Sequence, residues 1–206
     1  MSIRGKTAHE CLEFFRRHLA QLFARALTVR HPLLIARDGH DDGRATMWMR
    51  DMAGPQAIAI DTEGYGKLYV SFAQALRVLP EDKEWRLITE RYWYRIQRAP
   101  GMREQALIRW EYDRTLAAGK RHCRHHVQQA GDLAFGDGLL DLNKAHLPTG
   151  WVTIEEVLRF LIVDLRIAPP CGEEWADVLE ESERAFHEEF SDSRYVPPRE
   201  GSSTPD

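Results

Sequence analysis

With 206 residues, 43% of them hydrophobic, and a formal net charge of −4, the chain can bury a real core and falls within the usual range of one domain. Its three cysteines, Cys11, Cys123 and Cys171, are odd in number and far apart, which argues against a disulfide framework and for a reducing compartment. No apolar run approaches the length needed to span a bilayer and no basic segment followed by an apolar one opens the chain, so the expected location is the cytoplasm.

Thr7 followed by Glu10 has the form of a capping box, and Leu12, Phe15, Leu19, Leu22, Phe23 and Ala26 recur at helical spacing. The pattern predicts a helix over 8–29, stopped by His31-Pro32 because the residue before proline is driven out of the α region. Residues 38–43 read as an exposed turn whose Asp, His and Gly content lacks the later bidentate Glu of a calcium loop. Strands are predicted over 45–50, 56–61 and 67–72, bounded by Gly54-Pro55 and by Gly64 and Gly66. The last is expected to run into a short helix through Ala75 and Val78. Extended structure resumes over 87–97, Pro100-Gly101 supplies a turn, and Gly119 falls in the connection before His122. Short connections of this kind imply antiparallel hairpins and a sheet meander.

Thr153 and Glu156 form a second capping box, followed by Ile154, Val157, Leu158, Leu161, Ile162 and Leu165, with Phe160 and Val163 making the helix apolar nearly all round. It is expected to be the most buried helix. After Pro169-Pro170, the spacing of Trp175, Val178, Leu179, Ser182, Phe186 and Phe190 predicts an amphipathic helix with an acidic outer face. Residues 191–206, rich in Pro, Ser, Gly and Glu, read as a disordered tail. The fold class is α+β: an antiparallel sheet packed by an N-terminal helix and two C-terminal helices, forming one domain over 1–190.

Three segments between residues 91 and 128 carry the functional signal. Successive side chains on a strand point to opposite faces. Tyr92, Tyr94, Ile96, Ile108, Trp110, Tyr112, Cys123, His125 and Val127 therefore fall on a candidate core side. Arg91, Trp93, Arg95, Arg109, Glu111, Asp113, His122, Arg124, His126 and Gln128 fall on a candidate functional side. Charge sharpens the contrast: residues 86–126 hold ten Lys or Arg against four acids, whereas residues 155–206 hold five Arg against fourteen acids. The middle thus suits an anionic partner and the end a cationic one, unless the two regions attract each other within the fold.

His122 and His126 would share a face on a helix, as metal ligands do, but on a strand they lie about 13 Å apart, too far for one ion. A strand is preferred here; a metal would then need Glu111, Asp113 or His146, and no cofactor is expected. Cleavage of RNA by side chains alone requires a base for the 2′-hydroxyl and an acid for the leaving oxygen. His126 or His122 can fill these roles, Glu111 or Asp113 can orient them, and Arg95, Arg109 or Arg124 can grip the phosphate. A salt-bridged polar face joining Arg109 to these acids would present the same residues without chemistry. Trp93 between Arg91 and Arg95 also has the form of a base-stacking platform flanked by phosphate contacts, unless a helix covers it. His126 is expected to bury little, His125 to point into the core beside Val127, and His146 to sit beside the sheet ahead of an anchored helix. There is no P-loop, nucleophile elbow, Cys-x-x-Cys pair or dinucleotide fingerprint.

The Tyr-Arg-rich strand over 92–97, then Arg109 to Asp113, then His122, His125 and His126 with a following helix, resembles the layout of the TumE-like toxins of toxin-antitoxin modules. The likeness covers the middle third to half of the chain. It implies a small cytoplasmic bacterial toxin with an antitoxin partner. The leading expectation is a nucleic-acid-directed phosphodiesterase or toxin-like protein, with RNA the favoured target, acting through the Arg/His/acid face. The alternative is a non-enzymatic protein that docks a partner through its acidic last helix or its Arg-rich sheet.

Overall fold

A computed structural model describes residues 4–27, 33–37, 43–51, 54–55, 57–101, 105–114, 123–135 and 138–190. Residues 28–32, the 38–42 part of the expected turn, His122 and the 191–206 tail lie outside them.

Helix α1 spans Ala8–Ala26 and buries Leu12, Phe15, Leu19, Leu22, Phe23 and Ala26, the stripe its spacing predicts, together with Cys11. Its capping box is half formed. Thr7 Oγ1 accepts from the Glu10 backbone N–H at 3.1 Å, but the Glu10 carboxylate turns to the Lys6 N–H at 2.9 Å.

The strands are β1 (Leu33–Arg37), β2 (Arg44–Asp51), β3 (Gly54–Pro55), β4 (Ile58–Thr62), β5 (Gly66–Glu81), β6 (Glu84–Gln97), β7 (Ala106–Asp113), β8 (His125–Gln129), β9 (Asp132–Phe135), β10 (Gly138–Asp141) and β11 (Leu147–Pro148). The main sheet runs β1-β2-β5-β6-β7-β8-β11, with β3 on β2, β4 on β5, and β9 and β10 paired as a separate hairpin. Every pairing is antiparallel. The β4–β5 turn relies on Gly64 and Gly66 at φ of 89° and 73°, a region costly for residues with a Cβ.

The short helix expected through Ala75 and Val78 does not form. Strand β5 continues to Glu81, because Phe72, Leu76 and Val78 keep period-two burial and the strand pairs with β6 along its length. Alanine propensity yields to this pairing. A bulge in β6 opposite Ala75 and Leu76 leaves Glu90 as the extra residue, and its carboxylate lies 3.6 Å from Arg44 Nε and 3.8 Å from Arg77 Nη1.

Helix α2 (Ile154–Val163), helix α3 (Trp175–Phe190) and α1 share a core with the Tyr92 side of the sheet. Phe72, Tyr94 and Tyr92 stack there at centroid spacings of 5.3 and 4.5 Å, and Phe23 meets Phe72 edge-on at 5.4 Å. Both buried phenols accept a hydrogen bond, Tyr94 from Gln74 Nε2 at 2.7 Å and Tyr92 from the Val152 N–H at 3.1 Å. The second bond ties the entrance of α2 to the sheet. There the Thr153 capping box closes in both directions, at 2.8 and 3.1 Å. The helix is less enclosed than its composition suggests: Val163 is 54% exposed, while half-buried Phe160 meets Trp110 edge-on at 5.7 Å. Among the described residues, no helix is long and apolar enough to cross a membrane.

Candidate functional site

Strand register lays the polar residues out in three rows on the face opposite the helices. The central row runs Trp48 (β2), Ala73 (β5), Trp93 (β6), Glu111 (β7) and His126 (β8). One flank runs Thr46, Ala75, Arg91 and Asp113, the other Ser71, Arg95, Arg109 and Gln128. Tyr92, Tyr94, Ile96 and Tyr112 are buried on the helical side, as alternation requires.

Glu111 is the hub. Its Oε1 lies 3.0 Å from Arg109 Nε and 3.8 Å from Arg95 Nη2, and its Oε2 lies 3.3 Å from His126 Nε2. Burial alone would raise this carboxyl. The His126 contact and the charges of Arg109 and Arg95 outweigh burial and hold it below the usual carboxylate range. Burial, followed by the neighbouring Arg109 charge, lowers Arg95, with Glu111 opposing.

His126 is only 6% exposed, which corrects the expectation that it buries little. The cause is His146, which arrives ahead of β11 and lays its ring 4.7 Å from that of His126. Nδ1 of His126 donates to the Cys123 carbonyl at 3.0 Å, leaving Nε2 to face Glu111. A hydrogen on Nε2 makes that contact an ion pair, although the buried nitrogen is not aligned with the carboxylate as a hydrogen bond. The Gln128 amide donates to the Asn143 carbonyl at 3.1 Å and stands 3.1 Å from His146 Nε2. With the amide as donor, that nitrogen accepts and Nδ1 carries the ring hydrogen of neutral His146.

A cavity of about 250 Å³ opens over this group, lined by Arg91, Trp93, Glu111, Tyr112, Asp113, His126 and His146. Asp113, expected as a possible partner of His126 or His122, pairs with Arg91 Nε at 3.1 Å, and His122 lies outside the described residues. Arg124 continues the β8 register opposite Asp113, whose N–H bonds to its carbonyl at 3.1 Å. His125 turns to the other side, stacked on Tyr112 at 4.5 Å and edge-on to Trp151 at 5.5 Å. Burial first, then the charges of Arg124 and His126, lower its pKa to about 4. Among the described residues, no three His, Cys, Asp or Glu side chains converge as a metal-binding group.

The register joins residues that the sequence names separately, and it adds Trp48, which was not named as a site residue. Trp48 stands on an alternating strand whose Ala45, Met47 and Met49 are buried, a signal visible in the sequence once β2 is known to lie beside β5. His146 was named only as a possible metal ligand and for its position ahead of a helix, and the structure sets its ring beside that of His126. No family model, curated protein or solved structure matches the chain.

Proposed function

We propose that the protein is an RNA-directed phosphodiesterase in which His126 and His146 transfer protons and arginines hold the phosphate. The observation that carries this reading is the single cavity in which two imidazoles, the Glu111 carboxylate and Arg91 meet. Nε2 of neutral His146, on release of the Gln128 amide, takes the 2′-hydroxyl proton and the 2′-oxygen attacks phosphorus. The bond to the 5′-oxygen then breaks as that oxygen receives the Nε2 proton of His126, leaving a 2′,3′-cyclic phosphate. Glu111 stabilises the imidazolium before transfer, and the arginines stabilise charge on the phosphoryl oxygens.

Because His126 is buried, its replacement by Ala risks the fold. His126→Asn places an amide N–H near the position of Nδ1, preserving the donor to the Cys123 carbonyl while removing Nε2. The variant is expected to melt as the wild type does and to cleave RNA about a hundredfold more slowly or worse, the usual share of general acid-base catalysis. End-group analysis of the wild-type products should find cyclic phosphates. A folded His126→Asn variant with full activity, or folded wild-type protein inert on RNA of varied sequence, would remove the proposal.

The outer side of α3 supports the rival reading, a docking surface for a basic protein partner, because Glu173 and Glu174 just before it and Asp177, Glu180 and Glu181 within it are exposed. The two readings separate on Glu180→Lys with Glu181→Lys. RNA cleavage should be unchanged if the sheet face is the working surface.

A further inference from the structure

Two tryptophans on the central row stand on either side of an alanine. Trp48, Ala73 and Trp93 are directly opposite one another on β2, β5 and β6. At a strand spacing of about 4.8 Å, the two tryptophan backbones lie about 9.6 Å apart. A flat ring in contact with an indole on each side, at about 3.5–4.0 Å per contact, needs about 7–8 Å between them. The spacing therefore fits one intervening plane.

The surroundings favour a nucleobase in that position. Ala73 and its neighbour on the same face, Ala75, are both half-buried, and their methyl groups leave the floor between the indoles low. Both tryptophans are likewise half-buried. Trp48 Nε1 is itself buried, so the exposed part of this residue offers carbon surface for stacking and no donor. Arg91 and Arg95 flank Trp93 on its own strand and remain partly exposed, with side chains at 44% and 24%. Across this face Arg44, Arg77, Arg91, Arg95 and Arg109 outnumber Glu90, Glu111 and Asp113, an excess suited to a phosphate backbone. Trp93 also lines the cavity over His126, so a base held against it lies beside the proposed acid-base pair.

We infer that Trp48, Ala73 and Trp93 form a slot for one unpaired base of single-stranded RNA, which sets the strand over His126. The inference rests on the phosphodiesterase reading for its choice of ligand. A base can enter only if it is unstacked and unpaired, so the slot selects single strands over duplex. With the Trp48 donor buried, that wall reads a base by stacking alone, which tolerates base identity.

The test uses the whole protein and a single-stranded 2′-deoxy oligonucleotide, which lacks the attacking hydroxyl and stays intact. Binding is read by fluorescence anisotropy of an end label. The single strand should bind at least tenfold more tightly than the same sequence as duplex. Ala73→Leu fills the slot from a half-buried position, and Trp93→Ala removes one wall. Each should weaken single-strand binding about tenfold or more, with melting temperature checked on both. Equal affinity for single strand and duplex, or a folded Ala73→Leu protein with wild-type affinity, would overturn the slot. Binding by neither form would also overturn it. Cyclic-phosphate products from RNA would leave the catalytic reading standing in each of those cases. Slot-dependent binding by a protein inert on RNA would sink the catalytic reading and keep the slot.

Discussion

Adjacent histidines on β8 meet opposite environments, and that contrast can be tested by pH. His126 faces a carboxylate at 3.3 Å, whereas His125 stacks on Tyr112 with its Nδ1 buried and without a hydrogen-bond partner among the described residues. The folded pKa of His125, about 4, lies below its ordinary 6.5. The fold therefore favours the neutral ring. Its contribution to stability is complete above pH 6.5 and is lost as pH falls from there through 4. His125→Phe keeps an aromatic ring for the stack and cannot bind the proton. Thermal melts should show the variant gaining on the wild type between pH 7.5 and 4.5, and parallel pH curves would refute the argument. Alternation in the sequence was enough to separate these two rings. It could not show that His126 is buried, because the ring that covers it, His146, comes from twenty residues further along the chain.

At the scale of elements, helices were legible where capping and periodicity agreed, as in α1 and α2. Strand β5 was misread because Ala73, Ala75 and neighbouring Leu residues have helical propensity, and only the long pairing with β6 decides their state. The partners of α3 were equally illegible. Its Ser182 hydroxyl donates to Glu155 Oε1 on α2 at 2.6 Å and lies 2.9 Å from His18 Nε2 on α1, linking all three helices. Glu155 is buried. Burial raises its pKa above 4.5, against hydrogen bonds from Ser182, its own backbone and Thr153, with Glu183 adding to the rise. For an acid raised in this way, stability is fullest below its unfolded pKa and declines as pH rises through the folded value. Glu155→Gln retains an oxygen to accept from Ser182 and cannot ionise. Its melting temperature should exceed the wild type's at pH 8 and converge with it at pH 4. A difference that does not change with pH would show that ionisation of Glu155 is not what limits the seam.

For the whole molecule, composition and the short connections were enough to indicate an antiparallel sheet with helices on one side. The partnership of β2 with β5 across the intervening β3 and β4 was not legible, since no local pattern specifies a non-local pair. That pairing brings Trp48, Arg44 and Arg77 onto the same face as Arg91, Arg95 and Arg109. The resulting charge distribution has a measurable consequence. The arginines of this face pair with Glu90, Glu111 and Asp113 inside the sheet, and the exposed acids of α3 belong to the helical layer. A strand lying over the sheet should therefore release counterions in proportion to the phosphates held there. Each contributes a log-log salt slope of about −0.7 on single strands, so three phosphates give a slope of about −2. Replacing Arg91 by Gln should make the slope shallower by about 0.7 if it holds one of them. Titrations from 50 to 300 mM salt, about a sixfold range, suffice to resolve that change. A flat response in the wild-type protein would end the nucleic-acid reading. A steep response unaltered by Arg91→Gln would move the backbone contacts away from the rim of the His126 cavity, and with them the geometry on which the proposed cleavage depends.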